Sequence, residues 1–417
     1  MSKMIIDGGS RLSGSLAVHG AKNSALPILA AALVGKGKSI IHNCPGLTDV
    51  SATVNILEHL GCKTGRDGHT VTVEPTGAEN TDIPEELMRE MRSSIIFLGA
   101  ILNKSGRARV SMPGGCEIGL RPINIHLEAF KKMGVVINEE HGFLNCTIPD
   151  GLKAAKIAFD FPSVGATENV MLLAAEAEGT TVIENAAREP EISDLADFLN
   201  GCGARISGAG GGTVRIEGVK TLNGAEHTII PDRITAATYM CAAAVTGGDL
   251  TVTGVVPAHM GALVPVFEEA GCDVLIKGHD IRVTAPPRLR RVKTIRTMPY
   301  PGFPTDAQAP VMAMLACAEG TSVFVETIFE NRYQHVAELT RMGAKIKVEG
   351  KVAVVEGVQR LSGANVECTD LRGAASLIIA GLSAHGETQI TNLHHLDRGY
   401  DDITAVLNSA GAVVKRE

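Results

Sequence analysis

The chain of 417 residues contains no tryptophan and few other aromatic residues, ten phenylalanines and four tyrosines. Proteins that bind single-stranded nucleic acid stack bases on aromatic side chains, so this scarcity argues against such a role. The formal net charge of −7 argues against a general polyanion binder and leaves room only for a local basic pocket. With 45% hydrophobic and 20% charged residues, the composition favours folded domains with a buried core.

Long apolar runs and paired cysteines are also missing. No stretch approaches the roughly 20 apolar residues of a membrane helix, and the N-terminal MSKMIIDGGS lacks the apolar core of a signal peptide. None of the nine cysteines forms a CxxC pair, which argues against a zinc site or a thioredoxin-type site. We therefore expect a cytoplasmic protein without metal or cofactor, in which every cysteine except Cys116 is a reduced core residue.

Glycine, by contrast, is abundant, with 46 residues, and it marks an internal repeat. Six segments share an Ala-rich stretch, a β-rich run, an amphipathic stretch and a strand pair with glycine at its turn. The Ala-rich stretches, predicted to be buried helices, cover residues 24–34, 93–102, 166–177, 235–245, 307–318 and 374–383. Left-handed caps are predicted for them at Gly35, Gly106, Gly179, Gly247, Gly320 and Gly386. The amphipathic helices are predicted to end at Gly61, Gly134, Gly203, Gly271, Gly343 and Gly411.

The sixth strand pair is incomplete, and the N-terminal strand MIID is predicted to complete it and bring the termini together. Three repeats then form a domain over residues 22–228, and three form a second over residues 1–21 and 229–417. The predicted fold class is α/β, with two pseudo-equivalent domains and an active site in a cleft that opens and closes. Asp49, Asp194 and Asp402 are predicted to cap amphipathic helices.

Polar residues stand before the buried helices, although the helices themselves are apolar. A helix N-terminus offers free N–H groups and a partial positive charge, which together can hold an anion. A cation at such a position is unfavourable alone, so Lys22 and Arg92 indicate a phosphate-bearing substrate. Ordinary helix capping is the alternative, and it is strongest for Asp232. The residues concerned are Lys22, Asn23, Arg92, Ser163, Asp232, Arg233, Thr305, Asp306, Asp370 and Arg372.

Three further segments are polar or glycine-rich without a structural need. Residues 112–127 surround Cys116 with glycines, which predicts a mobile loop in which this thiol is a nucleophile, a proton donor or inert. Residues 330–335 place Arg332 and His335 between a strand and a helix, and residues 395–400 place Asp397 and Arg398 at the matching point. Arginine forks suit carboxylate or phosphate, and a structural Asp397–Arg398 salt bridge is the alternative.

Long sequence motifs distributed along the whole chain resemble those of a known family. They are GAKNSALPILAAAL (20–33), PGGCEIGLRPINIH (113–126), SVGATEN (163–169), REPEISDL (188–195), PGFPTDAQ (301–308), FENRYQHV (329–336), TDLRGAASL (369–377) and LDRGYDDI (396–403). With these motifs the chain resembles the UDP-N-acetylglucosamine 1-carboxyvinyltransferases, the enolpyruvyl transferases of peptidoglycan synthesis. The related 5-enolpyruvylshikimate-3-phosphate synthases lack the cysteine loop and are the second choice.

The resemblance implies an inverse α/β barrel, in which two domains of three βαβαββ repeats bury their helices inside. It implies transfer of enolpyruvate from phosphoenolpyruvate to the 3′-hydroxyl of UDP-N-acetylglucosamine, through a tetrahedral intermediate and with release of phosphate. It implies no metal or cofactor, no nucleic acid and no membrane, and a monomer or weak homo-oligomer. A non-catalytic UDP-sugar-binding paralogue and a cysteine hydrolase are alternatives from other classes.

Site roles follow from the same resemblance. Cys116 is implied as the general acid and the thiol that fosfomycin alkylates, and Asp306 as the general base, with Asp370 beside the reacting carbons. The implied phosphoenolpyruvate contacts are Lys22, Asn23, Arg121, Arg332, Arg372 and Arg398. The implied UDP-N-acetylglucosamine contacts are Asn23, Arg92, Arg121, Pro122, Ile123, Asn124, Ile125, Phe161, Pro162, Ser163, Val164, Asp306 and Ile328. Some members have Asp at the position of Asn124. Some have a lysine-containing sequence in place of the Phe161–Pro162 pair.

Overall fold

The computed structural model describes residues 2–112 and 123–417, and these divide into two compact units. The first unit comprises residues 20–112 and 123–230, and the second comprises residues 2–19 and 231–417. The second unit is therefore built from both ends of the chain. Each unit has its own hydrophobic core.

The main helices of the described residues alternate between an apolar type and an amphipathic type. In chain order they are α1 (Lys22–Ala31), α2 (Thr48–His59), α3 (Glu85–Glu90), α4 (Phe97–Ser105), α5 (Asn124–Lys132), α6 (Val164–Ala174), α7 (Pro190–Gly201), α8 (Arg233–Val245), α9 (Val264–Glu269), α10 (Thr305–Leu315), α11 (Val336–Arg341), α12 (Leu371–Ser383) and α13 (Ile403–Ser409). Short 3-10 helices cover Arg92–Ile96, Pro257–Met260 and Leu393–Arg398.

The strands are short. In chain order they are β1 (Met4–Asp7), β2 (Ser13–Ala17), β3 (Ser39–His42), β4 (Lys63–Asp67), β5 (Thr70–Glu74), β6 (Asp82–Ile83), β7 (Arg107–Ser111), β8 (Val136–Glu140), β9 (Phe143–Thr147), β10 (Lys156–Ala158), β11 (Thr180–Glu184), β12 (Arg205–Ser207), β13 (Thr213–Glu217), β14 (Glu226–Thr228), β15 (Asp249–Thr253), β16 (Asp273–Lys277), β17 (Asp280–Thr284), β18 (Thr294–Arg296), β19 (Thr321–Val325), β20 (Lys345–Glu349), β21 (Val352–Glu356), β22 (Asn365–Glu367), β23 (Glu387–Thr391) and β24 (Val413–Arg416).

The sixfold repeat is confirmed, because the strands form six four-stranded sheets of one pattern. The order β6-β7-β9-β8 is typical: β6 runs parallel to β7, and the β8–β9 hairpin completes the sheet antiparallel to it. The parallel edge strands, which the sequence interpretation missed, are β2, β6, β10, β14, β18 and β22. Most have only two or three residues, too few for a periodic signal.

The prediction for the N-terminal strand is confirmed. β1 lies between β23 and β24 and pairs antiparallel with both, so that Met4 is opposite Ile390 and Arg416. Next to it, the backbone N–H of Lys3 donates to the Glu417 carbonyl over 2.8 Å. The two ends of the chain therefore meet in one sheet of the second unit.

The Ala-rich helices are buried as predicted, but five of them begin earlier than the predicted stretches. In four of these five, a charged residue lies in the first turn of the helix instead of before it: Lys22, Arg233, Asp306 and Arg372. The second stretch also differs, because a 3-10 helix opens it at Arg92 before α4 begins. The first turn of a helix tolerates polar residues because its N–H groups lack intrahelical partners.

The glycine caps belong mainly to the other helix type. Among the glycines predicted to cap buried helices, two are confirmed: Gly106 is the C-cap residue of α4, at φ +68°, and Gly247 directly follows the C-cap of α8, at φ +65°. Gly35 is not left-handed, and Gly179, Gly320 and Gly386 are left-handed but lie further beyond the helix ends. The glycines after all six amphipathic helices have φ between +92° and +100°. The next N–H in each case reaches back into the last turn, as from Cys62 to Leu57 over 2.9 Å, which is a Schellman motif.

Of the predicted aspartate caps, only Asp402 is confirmed, because it accepts the N–H of Ala405 at the start of α13. Asp49 and Asp194 lie inside α2 and α7, whose N-cap residues are Leu47 and Glu189. Their carboxylates have tertiary partners instead. No helix of the described residues has the length and apolar character needed to cross a membrane.

Candidate active site

The second unit gathers four of the predicted site residues into one cluster, Asp306, Arg332, Asp370 and Arg372, which we call the arginine–aspartate cluster. α10 supplies Asp306 from its first turn, and α12 supplies Asp370 as its N-cap and Arg372 just inside. Arg332 comes from the segment between β19 and α11. The two Ala-rich helices pack against each other, which brings their N-terminal residues together.

Asp306 joins the two arginines. Its Oδ1 accepts a hydrogen bond from Arg332 Nη2 at 2.7 Å, and its Oδ2 accepts one from Arg372 Nη2 at 3.2 Å. The arginine side chains are only 3% and 2% exposed, whereas that of Asp306 is 27% exposed. Two buried guanidinium groups therefore converge on a carboxylate that solvent can reach, and buried cations need such a counter-charge.

Asp370 has a double function in the cluster. Its Oδ1 accepts the N–H groups of Arg372 and Gly373 at 2.9 and 3.0 Å, which caps α12. Arg332 Nη1 is 3.9 Å from the same oxygen. Burial by itself raises the pKa of the Asp370 carboxyl, but Arg332, the protonated form of His335 and the two N–H groups outweigh it and hold that pKa below its usual value. Asp370 is therefore ionised at neutral pH.

Two neighbours complete the surroundings of the cluster. Tyr400 Oη accepts a hydrogen bond from Arg372 Nη1 at 3.2 Å and is 2.9 Å from Thr238 Oγ1, so the second guanidinium is held on both sides. His335 is fully buried, and its burial lowers the pKa of the imidazole to about 4. The imidazole is therefore neutral at physiological pH and adds no positive charge.

The arrangement favours recognition of small anions. Arginine forks bind carboxylate and phosphate groups, and here each guanidinium already donates one N–H to Asp306. An anionic ligand at this point competes with Asp306 for the same N–H donors. Such competition would free a carboxylate oxygen beside the bound anion, which is where a general base is useful.

The second unit also contains predicted site residues outside the arginine–aspartate cluster. Arg398 ends the 3-10 helix Leu393–Arg398 and is half-buried. Asp397 forms a bidentate pair with Arg416 of β24, at 2.7 and 2.6 Å. Ile328 is half-buried and donates its N–H to Glu326. Asp232 caps α8 through the N–H groups at 234 and 235, as the capping alternative predicted.

In the first unit, Lys22 is buried at the first residue of α1. Its Nζ lies 3.1 Å from Asp49 Oδ2, with the two side chains 11% and 3% exposed. The carboxylate from α2 thus neutralises the ammonium that the sequence interpretation assigned to an anionic substrate. Asn23 follows on the same turn and is half-buried.

The remaining predicted residues of this unit stand at the starts of α5 and α6. Ser163 caps α6 by accepting the N–H of Ala166 at 3.3 Å, and Phe161 just before it is 42% exposed. Pro162, Val164, Ile123 and Ile125 are half-buried, and Asn124 is exposed. Cys116, Arg121 and Pro122 lie outside the described residues, as does the side chain of Arg92.

Several buried polar residues of the first unit had no assigned role in the sequence interpretation. His126 is buried against Gly165 of α6, its Nδ1 accepts a hydrogen bond from Asn169 Nδ2 at 3.0 Å, and burial lowers the pKa of the imidazole to about 4. Burial, and then Glu191 and Glu189, raise the pKa of Glu168 well above its usual value. Only Glu168 has a signal in the sequence, as a charged residue inside the apolar helix α6.

Metal binding requires a group of donors, and the described residues contain no close group of three or more histidine, cysteine, aspartate or glutamate side chains. The described cysteines are free, and all but the half-buried Cys317 are buried. Burial raises the pKa of Cys44 and Cys62 to about 11, as expected for inert core thiols.

The fold and the cluster define a class: a mixed α/β protein of six repeats with paired arginines and carboxylates at helix starts. A family model described as EPSP synthase (3-phosphoshikimate 1-carboxyvinyltransferase) matches residues 6–407. The chain therefore belongs to this family of enolpyruvyl transferases.

Relatives within the family agree over the full length. The chain is 50% identical to UDP-N-acetylglucosamine 1-carboxyvinyltransferase 2 of Caldanaerobacter subterraneus, covering 100% of both chains. It is 49% identical to UDP-N-acetylglucosamine 1-carboxyvinyltransferase 1 of Symbiobacterium thermophilum, covering 99% of this chain and 95% of the other.

Solved structures share the fold. The enolpyruvyl transferase NikO of Streptomyces tendae superposes with a TM-score of 0.90 at 26% identity, covering 100% of this chain and 98% of the other. The EPSP synthase of Acinetobacter baumannii gives 0.77 at 19% identity, covering 100% and 99%. The predicted α/β class with repeated units is thus that of known enolpyruvyl transferases.

Proposed function

We propose that the chain transfers the enolpyruvyl group of phosphoenolpyruvate to the 3′-hydroxyl of UDP-N-acetylglucosamine, releasing phosphate. Two full-length relatives near 50% identity carry the name of this activity, and the family resemblance implies that it is the committed step of peptidoglycan synthesis. The observation that carries the proposal for the site is the shared carboxylate of Asp306, held by two buried arginines.

In the arginine–aspartate cluster, binding of phosphoenolpyruvate to the arginines would release the Asp306 carboxylate, which could then act as the general base. Arg332 and Arg372 would bind the carboxylate or phosphate of phosphoenolpyruvate, and Arg398 would add positive charge for the leaving phosphate. Lys22 would do the same where that phosphate takes the place of Asp49. Asp306 would then accept the proton of the sugar hydroxyl as that oxygen attacks C2. Asp370 would stay ionised beside the reacting carbons.

Protonation of C3 needs an acid, and we assign it to Cys116, as the resemblance implies. Addition then gives a tetrahedral phospho-ketal, and loss of phosphate from C2 together with a proton from C3, which the Cys116 thiolate takes back, regenerates the double bond. The same thiol would be the target of fosfomycin. A Cys116→Asp variant is expected to keep turnover and resist alkylation, because a carboxylic acid donates a proton but is a weaker nucleophile than a thiolate.

The remaining expectations are part of the proposal. The UDP-sugar would contact Asn23, Asp306, Ile328 and the starts of α5 and α6. The two units would correspond to the predicted domains, each closed as an inverse α/β barrel, with the active site in a cleft between them. The enzyme would work in the cytoplasm as a monomer or weak homo-oligomer, without cofactor.

Phosphate release tests the proposal. The purified chain should release phosphate only when phosphoenolpyruvate and UDP-N-acetylglucosamine are both present. Replacing the UDP-sugar by shikimate 3-phosphate should abolish release. Turnover of phosphoenolpyruvate with shikimate 3-phosphate but not with the UDP-sugar would reassign the acceptor. Binding of the UDP-sugar without turnover by folded protein would indicate a non-catalytic paralogue.

A further inference from the structure

Glu326 is a fully buried carboxylate that no step of the proposed reaction uses. It follows β19 directly in the chain and is 1% exposed. A buried carboxylate is costly unless its oxygens are hydrogen-bonded, so its partners show what it stabilises. They lie in three separate segments of the second unit.

The two carboxylate oxygens have different partners. Oε1 accepts hydrogen bonds from the Thr297 hydroxyl at 2.9 Å and from the N–H groups of Ile328 and Phe329 at 2.8 and 3.2 Å. Oε2 accepts one from the Thr305 hydroxyl at 3.0 Å. Thr305 is the first residue of α10 and immediately precedes Asp306.

Thr297 extends this network along the backbone. Its Oγ1 accepts the N–H of Thr327 at 2.9 Å, and its carbonyl accepts the Thr327 hydroxyl at 2.5 Å. The segment from 326 to 329 is thereby held on one side by Glu326 and on the other by Thr297. Because Glu326 also holds Thr305, the start of α10 and this segment share one anchor.

We propose that Glu326 is a positioning residue that sets Asp306 and the backbone at 327–329 relative to each other. The inference rests on the proposed function, in which Asp306 is the base and Ile328 contacts the UDP-sugar. Its Oε2 side would serve the base and hence kcat, whereas its Oε1 side would serve sugar binding and hence KM. Four hydrogen bonds from three segments to one buried carboxyl group fix these segments relative to one another, and catalysis depends on such positioning.

The two sides can be separated by isosteric substitutions. Thr305→Val removes the hydrogen bond to Oε2, and should lower kcat about fivefold with little change in KM, the effect of one hydrogen bond. Thr297→Val removes a donor to Oε1 and the acceptor of the Thr327 N–H. It should raise KM for UDP-N-acetylglucosamine about fivefold with a smaller change in kcat.

Two substitutions of Glu326 itself should differ in the size of their effect. Glu326→Gln keeps a carbonyl oxygen for the three donors at Oε1, and the Thr305 hydroxyl can turn to accept from the amide. It should stay within about fivefold of wild type in kcat/KM. Glu326→Ala should lose about 100-fold, as expected when reacting groups shift by about 1 Å.

Ser322→Ala is the matched control. Ser322 is buried on β19, and its hydroxyl accepts the N–H of Val292 at 3.2 Å, away from the cluster. It should lower the melting temperature as the threonine variants do but leave kcat and KM unchanged. If Thr305→Val and Thr297→Val behave like Ser322→Ala, Glu326 is only structural and the proposal is wrong. A wild-type chain that gives no turnover contradicts the proposed function, and the positioning role falls with it.

Discussion

Asp306 is the residue on which the chemistry of the second unit converges, because both of its oxygens bind arginine. Asn at this position would keep one acceptor but turn an amide N–H toward the other guanidinium. We predict that Asp306→Asn lowers kcat by about 10²- to 10⁴-fold, the usual contribution of a general base. Steady-state phosphate release measures it.

Asp249 provides the matched control for this substitution. It forms a bidentate pair with Arg282, at 2.8 and 2.6 Å, on the surface of the same unit. Asp249→Asn removes a similar charge and a similar pair and should leave kcat unchanged. Equal rates for Asp306→Asn and wild type would remove Asp306 from the mechanism.

His126 gives a second prediction at the residue scale, for stability against pH. Its pKa is lowered by burial from 6.5 to about 4 in the folded chain. Between these values the unfolded chain binds a proton that the folded chain does not, so stability falls as pH decreases from 6.5 to 4. Over this window the effect reaches about 3 kcal/mol.

His126→Gln should reduce this acid sensitivity, since the side chain then has no proton to gain. Urea unfolding at pH 7 and pH 4.5 measures the difference. His69→Gln, at an exposed histidine of the same unit, should keep the acid sensitivity of wild type. An unchanged pH dependence in His126→Gln would show that the imidazole is not buried neutral.

At the scale of elements, glycine ends the amphipathic helices. Gly343 follows α11 at φ +95°, and a Cβ there would meet no atom within 4 Å. Any cost of Gly343→Ala is therefore conformational, and we predict a loss of about 1–2 kcal/mol in the free energy of unfolding.

Gly261 is the control, because it follows a 3-10 helix at φ −56° and a Cβ there would have its nearest neighbour at 3.9 Å. Gly261→Ala should be neutral or stabilise by up to about 1 kcal/mol. Chemical denaturation of the full chain measures the free energy of unfolding of both variants. Equal effects at both positions would refute the Schellman explanation.

The elements also show how far the sequence alone can be read. The repeat, the hairpins and the pairing of the N-terminal strand follow from periodicity and glycine turns, which are local signals. The edge strands, such as β6 with two residues, are too short to give one. Their pairing is decided by tertiary contacts.

For the site, charged residues near apolar helices pointed to Asp306, Arg332, Asp370 and Arg372, which the fold brings together. The sequence interpretation misassigned Asp49, because the carboxylate that neutralises Lys22 stands in a helix first turn, where a cap is also plausible. Because Lys22 and Asp49 are 27 residues apart, their ion pair leaves no local pattern in the sequence. Glu326 was missed for the same reason, since its partners come from distant segments.

At the scale of the whole molecule, the meeting of the termini has a consequence. Lys3 and Glu417 exchange two backbone hydrogen bonds, at 2.8 and 2.9 Å. We predict that a circular permutant with these ends joined by a short Gly/Ser linker folds and keeps turnover. New ends between Gly210 and Gly211 fall in the exposed turn between β12 and β13.

Deletion of residues 2–8 is the contrasting variant, because it removes β1 from between β23 and β24. It should abolish cooperative unfolding of the second unit, whereas the permutant should melt near wild type. Circular dichroism melting and the phosphate assay compare the two. A permutant that fails to fold while the deletion folds would contradict the role given to β1.

The central claim is that this chain makes an enolpyruvyl ether of UDP-N-acetylglucosamine. The most direct test follows the carbon: phosphoenolpyruvate labelled with ¹³C at C2 is incubated with the enzyme and UDP-N-acetylglucosamine, and the products are identified by NMR. The account predicts that the labelled carbon becomes bonded to the 3′-oxygen of the sugar, with one phosphate released for each ether formed. Labelled pyruvate with phosphate, or label that never reaches the sugar, would contradict it.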